Sequence, residues 1–93
     1  MEEGPIMVII EYRIRPEDTD AFIEAMTRLR DIRQRNGATL WHLYNDMTRP
    51  GIMVESFTIE TMLEMLRQRE RMTVADREVR DRARAFHRDG APP

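Results

Sequence analysis

Three side chains able to do more than carry charge fall together in one β-rich run: Trp41, His42 and Tyr44. An imidazole titrates near neutrality, so His42 has the chemistry of a general base or of a polar anchor in a pocket. The plainer reading is a half-buried histidine bonded to its neighbours. Tyr12 and Glu55 lie on two other β-rich runs, and adjacent strands would bring them beside the first three. Tyr12, Trp41, His42, Tyr44 and Glu55 therefore form the candidate ligand-binding set, with His42, Tyr44 and Trp41 as the candidates for catalysis. Core and interface packing is the competing explanation for the same five residues. No nucleophile stands out, because cysteine is absent and Ser56, the only serine, has no motif around it. His42 and His87 are far apart, and without cysteine they make poor material for a metal site. The sequence implies neither a metal nor a cofactor. His87 falls at the end of a helical stretch, where a charged imidazole would complement the helix dipole.

The elements that must hold these residues can be read from periodicity. From Ile6 to Ile14 the chain is β-rich, with Ile6, Val8, Ile10, Tyr12 and Ile14 on one face and Met7, Ile9, Glu11 and Arg13 on the other. Pro16 opens a helix expected over 16–36, with acidic residues in its first turn and Arg28, Arg30, Arg33 and Arg35 in its last turns. Phe22, Ala25, Met26, Leu29 and Ile32 supply its apolar stripe, and Asn36-Gly37 supplies a left-handed stop. A second strand is expected over 39–47 and a third over 52–59, joined by Arg49-Pro50-Gly51, where glycine suits the positive φ of a type II turn. Thr61 with Glu64 reads as a capping box opening a short helix with Met62, Leu63 and Leu66 inward. Thr73 with Asp76 opens another, running to about His87, with Asp76–Arg80 and Glu78–Arg82 as i,i+4 pairs.

The order β-α-β-β-α is that of an α+β, ferredoxin-like split βαβ unit whose closing strand is missing or very short. Residues 1–5 read as a disordered lead, 6–88 as one domain and 89–93 as a flexible tail. A sheet with helices on one side leaves its other face to a partner, and Trp41, Leu43, Met47, Met53 and Phe57 look too apolar for water. The expected partner is a second copy bound through the sheet face.

The whole chain of 93 residues carries a formal net charge of −2, with all 15 basic residues arginine against 17 acidic ones. Interleaved signs argue against a nucleic-acid footprint, which needs a basic face. No apolar run approaches the ~20 residues of a membrane span, and Glu2 and Glu3 stand where a signal peptide would be basic. A cytoplasmic domain is expected. The eight methionines suit core packing better than an adaptable binding groove, although a small hydrophobic ligand remains open.

A family resemblance adds to this. Glu11-Tyr12-Arg13-Ile14, Pro16-Glu17, Phe22, Ala25-Met26 and Arg33-Gln34-Arg35-Asn36-Gly37-Ala38 leading to Trp41 carry its first half. Pro50, Glu55-Ser56-Phe57, Leu66-Arg67-Gln68, Glu70-Arg71, Thr73-Val74-Ala75-Asp76 and Ala85-Phe86-His87 carry the rest. Together they resemble the cytosolic C-terminal domain of enterobactin-exporter-like major facilitator superfamily (MFS) transporters, over about residues 5–93. The chain departs from that pattern at Met62, where a Trp is frequent, and at Met65 and Arg69, where His is frequent. The pattern also runs on into a final β-strand. The resemblance implies the dimeric α/β-barrel fold of the antibiotic-biosynthesis-monooxygenase group and a non-catalytic dimerisation or regulatory role beside an efflux transporter. Membrane contact would come only through a transporter portion absent from this chain, at the cytosolic face of the inner membrane. Cofactor-independent monooxygenases of that fold use a similar Trp/Tyr/His pocket, so a small enzyme or a stand-alone small-molecule-binding protein is the alternative.

Overall fold

The computed structural model describes residues 4–90 and 92–93. Residues 1–3 of the expected lead, and Ala91 of the expected tail, lie outside the described residues.

Strand β1 runs over Ile6–Arg13, and a 3-10 turn over Pro16–Asp18 feeds helix α1 over Thr19–Arg35. Strands β2 and β3 span Thr39–Asn45 and Ile52–Ile59, followed by helices α2 over Met62–Arg71 and α3 over Val74–Arg84. Both strand pairings are antiparallel, and the sheet order is β1-β3-β2. This is the α+β, ferredoxin-like split βαβ arrangement. The edge of β1, where a fourth strand of that unit would pair, is met instead by residues beyond α3. Arg88 N–H donates to Arg13 O at 2.9 Å, and Arg13 N–H donates to His87 Nδ1 at 2.9 Å. Since α3 ends at Arg84, His87 lies beyond the helix end expected for it and meets the edge of β1 instead.

Local chemistry explains most of the element ends. Gly37 has φ +102° and closes α1, and Ala38 N–H returns to Arg33 O at 2.9 Å. Ile52 N–H reaches Arg49 O at 3.1 Å across Pro50 and Gly51 (φ +86°), a type II turn. Thr73 and Asp76 form a complete capping box on α3. Thr61 caps α2 through Glu64 N–H, but the Glu64 carboxylate turns to Arg71 instead of back to the cap. The expected i,i+4 pair Asp76–Arg80 is replaced by longer-range bonding. Asp76 accepts from Arg35, which ties α3 to the end of α1, and Arg80 pairs with Asp81.

The core lies between the sheet and the helices. Tyr12, Ile14, Phe22, Met26, Leu29, Met53 and Ala83 form its main cluster, and Ala38, Phe57 and Ile59 a second. Phe22 packs at 5.1 Å from Tyr12 and 6.2 Å from Phe86 between ring centroids, which ties α1, β1 and the end of α3 together. Two expectations are corrected here. Trp41, Leu43, Met53 and Phe57, expected on the exposed face, pack against the helices, and Met47 sits in the β2–β3 loop at 95% exposure. Both strand faces are apolar enough to be core, so periodicity alone does not choose between them. Met62, Leu63 and Leu66, expected inward, are about half exposed, and α2 instead turns Met65 and Gln68 toward the sheet. That rotation is held by Arg71, which bonds both Glu64 and Asn36 O, and by Gly37. A Cβ there would sit 3.1 Å from Glu64 Oε1.

The Arg35 bond is the main reason the Asp76 carboxyl titrates below the ordinary aspartate range. A carboxylate held low in the folded state stabilises it above the unfolded pKa, and that contribution fades as pH falls through the lowered folded value. Tm is therefore expected to fall from about pH 4 downward. Asp76→Asn should lower Tm at neutral pH and flatten the acid limb, which thermal unfolding across pH 2–7 measures directly.

Candidate functional site

Glu55 stands in the middle strand with its side chain fully buried. A lone carboxylate there would be costly, and four donors from three elements satisfy it. Oε1 accepts Tyr12 O–H at 2.9 Å and an Arg33 terminal N–H at 3.2 Å. Oε2 accepts Arg33 Nε–H at 3.0 Å and Trp41 Nε1–H at 2.9 Å. The guanidinium of Arg33 also lies 4.8 Å from the Phe57 ring centroid, a cation–π contact. Burial, and then the adjacent Glu55 charge, raise the Tyr12 pKa, so the phenol stays protonated as a donor.

A one-residue irregularity in β2 places Trp41. Thr39 pairs with Thr58, but His42 pairs with Ser56, so three steps on β2 oppose two on β3. The extra residue is absorbed at Leu40, which has φ +52° and is exposed. This bulge shifts the alternation by one, so Trp41 turns to the helix side and reaches Glu55.

The five candidate residues consequently divide. Tyr12, Trp41 and Glu55 meet on the helix side of the sheet. His42 and Tyr44 point to the opposite face, stacked on each other at 5.5 Å between ring centroids. Trp41 and His42 both border an open groove of about 530 Å³ between α1 and the β2 edge, lined also by Thr27 and Arg30. Glu55 has all its acceptor sites occupied, so it is poorly placed to take a proton from a ligand. The residue that the sequence does not single out is Arg33, whose place in the last turns of α1 reads as that of an ordinary helix-end cation. Its signal was present: a glutamate at an inward strand position needs a cationic partner, and Arg33 follows Leu29 by one turn on the buried side of α1.

Among the described residues, no helix covers the opposite sheet face. Across it run the rows Ile9–Ser56–His42 and Glu11–Val54–Tyr44, flanked by Met7 beside Thr58 and Arg13 beside Ile52. Met7 is 67% exposed, Ile9 60% and Tyr44 52%, so three large apolar side chains stand exposed among Glu11, His42 and Ser56 on this face. At one end Arg49 reaches from the β2–β3 loop to form a two-pronged pair with Glu11, and it also bonds Asp46. Among the described residues, no cluster of His, Cys, Asp and Glu could hold a metal ion, and no helix is long and apolar enough to cross a membrane.

The fold is shared with solved structures at low identity. A protein from Caulobacter crescentus, provisionally named an antibiotic biosynthesis monooxygenase, matches with TM-score 0.78 and 17% identity, covering 98% of this chain and 85% of its own. A similarly named protein from Bordetella bronchiseptica matches at 0.76 and 20%, covering 97% and 90%. A conserved protein from Methanosarcina mazei matches at 0.77 and 13%, covering 92% and 84%. Likeness at these identities concerns the fold alone. No curated protein matches the chain. The model of one MFS-type family, described as "Transmembrane secretion effector", matches residues 1–93 from end to end. The chain belongs to the transmembrane secretion effector family.

Proposed function

We propose that this chain is a non-catalytic module of an MFS-type secretion system, acting at the cytosolic face of the membrane by pairing with a second copy of itself. The observation that carries the reading is the open sheet face. Met7 and Ile9 on β1, and Tyr44 beside Val54 across β3, are apolar side chains of a face that no helix covers among the described residues, and exposed apolar surface of that kind marks a docking site. A domain of this size buries only about 60–65% of its unfolded surface by itself, so a second sheet laid over the first adds core where it is short. Paired modules would hold two transporter subunits in register, or couple their state to events in the cytosol.

Non-catalysis is supported by the division of the candidate residues. His42 shares no enclosed site with Tyr12 and Glu55, and the Glu55 carboxylate is consumed by its own bonds. Two readouts test the reading. Copies carrying different tags and expressed together should purify together; copies that never do so would remove its basis. An oxygen electrode should record no uptake with quinol or polyketide-like substrates, for the unmodified protein and for His42→Ala alike. Uptake that His42→Ala abolishes would establish the monooxygenase reading instead.

A further inference from the structure

Behind Arg33 the helix side of the sheet opens into a second site. A cavity of about 200 Å³ lies between the sheet and helices α2 and α3. Its floor is apolar, made by Val8, Ile10, Phe57 and Ile59, and Met65 and Met72 close it from above. Its polar lining is Gln68 with four arginines, Arg33, Arg69, Arg80 and Arg84, and among the described residues no acidic one lines it. Four guanidiniums around one greasy cavity are unusual in a chain whose net charge is −2.

The charges there are only partly answered. Arg33 is neutralised from behind by Glu55, and Arg80 pairs with Asp81 on its solvent side. Arg84 Nε and Gln68 Nε2 are buried and have no hydrogen-bond partner among the described residues. A buried donor left unbonded costs about 1–3 kcal/mol, so the Arg84 donor on a residue that lines the cavity is itself a pointer to a missing acceptor. Burial, and then the neighbouring Arg80, hold the Arg84 pKa below the ordinary arginine value, in keeping with a site where positive charge is crowded. An arriving anion would relieve that crowding.

We infer that this cavity binds a small planar aromatic acid, its carboxylate held by Arg84 with Arg80 or Arg69, and its ring against Phe57 and the aliphatic floor. Size and chemistry each narrow the class. The volume is below the 300–1,000 Å³ of drug-sized pockets and suits about ten non-hydrogen atoms. Guanidinium forks match a carboxylate with two parallel bonds, whereas the floor offers nothing polar to an ion that is charged all round. A free phosphate would meet the arginines but waste the apolar floor, and a neutral ring would do the reverse. This site is independent of the pairing face, which lies on the other side of the sheet.

The test is a titration of the whole chain, followed by calorimetry and by amide and methyl NMR, with benzoate, benzamide and inorganic phosphate as probes. Benzoate should bind saturably and shift signals of Phe57, Met65 and Arg84. Benzamide and phosphate should each bind about tenfold more weakly or worse, the loss expected when one charge-assisted bond or the ring contact is missing. Arg84→Met should weaken benzoate by about tenfold or more while preserving the fold, because it also removes the crowded charge. If that variant does not fold, Arg80→Gln, on the rim, should weaken benzoate in the same direction. Benzamide binding as tightly as benzoate, phosphate matching benzoate, or no saturable benzoate signal would each overturn the assignment.

Discussion

Glu55→Ala should cost about 3–5 kcal/mol, the range for breaking a buried ion pair by removing one partner. The size follows from what is left behind. Arg33, only 13% exposed in its side chain, loses its counter-charge, and the Tyr12 hydroxyl and the Trp41 indole N–H lose their acceptor in the same step. A domain of this length shifts its Tm by about 4–8 °C per kcal/mol, so a fall of roughly 12–40 °C is expected. Glu55→Gln should cost less, since an amide oxygen still accepts two of the four bonds, though it leaves the guanidinium unpaired. The double change Arg33→Met with Glu55→Leu should be less damaging than Glu55→Leu alone, because both charges then leave together. A Glu55→Ala loss under about 1 kcal/mol, within the range of an ordinary surface change, would show that the four-donor network does not hold the two faces of the core together.

The second large effect concerns the open face. Ile9→Glu places a carboxylate in the central row Ile9–Ser56–His42. In the isolated subunit this position is 60% exposed, so the fold should be nearly unaffected. In a symmetric pair each copy contributes the same charge to the same interface, and the cost is incurred twice. At about 3 kcal/mol per buried, unpaired carboxylate, the combined penalty is about 6 kcal/mol, or roughly a 10⁴-fold weaker association. Arg28→Glu, on the solvent side of α1 at 62% exposure, serves as the control and should leave association unchanged. Tm of the unmodified protein should also rise with protein concentration, as it does whenever pairing favours only the folded state. Unchanged association of Ile9→Glu would place the interface elsewhere, and concentration-independent melting would argue against pairing altogether.

Local chemistry made much of the fold legible. Pro50-Gly51 permits one kind of turn, Thr73 and Asp76 announce a helix start, and Gly37 ends α1 because few other residues take its φ. The split βαβ order followed from alternation in the three strands and the apolar stripe of α1. The sidedness of the sheet was not legible, because Ile9, Val54 and Tyr44 are as apolar as Ile10, Met53 and Leu43. Only the summed packing of Phe22, Met26 and Leu29 decides which set is covered. The bulge at Leu40 was hidden for a related reason: leucine gives no hint of a positive φ, and without that extra residue Trp41 would face away from Glu55. The candidate site was half visible. Tyr12, Trp41 and Glu55 were named together, but His42 and Tyr44 share their strand rather than their face. The arginines of the second cavity, drawn from α1, α2 and α3, look like ordinary solvated charges until the helices bring them over the same apolar floor.

Sedimentation equilibrium of the unmodified chain over a hundredfold range of concentration decides the pairing on which the proposed role rests. A mass of twice 11.1 kDa at micromolar concentration and above is the expected result. A single-chain mass throughout, with the Ile9 face left to water, would contradict it.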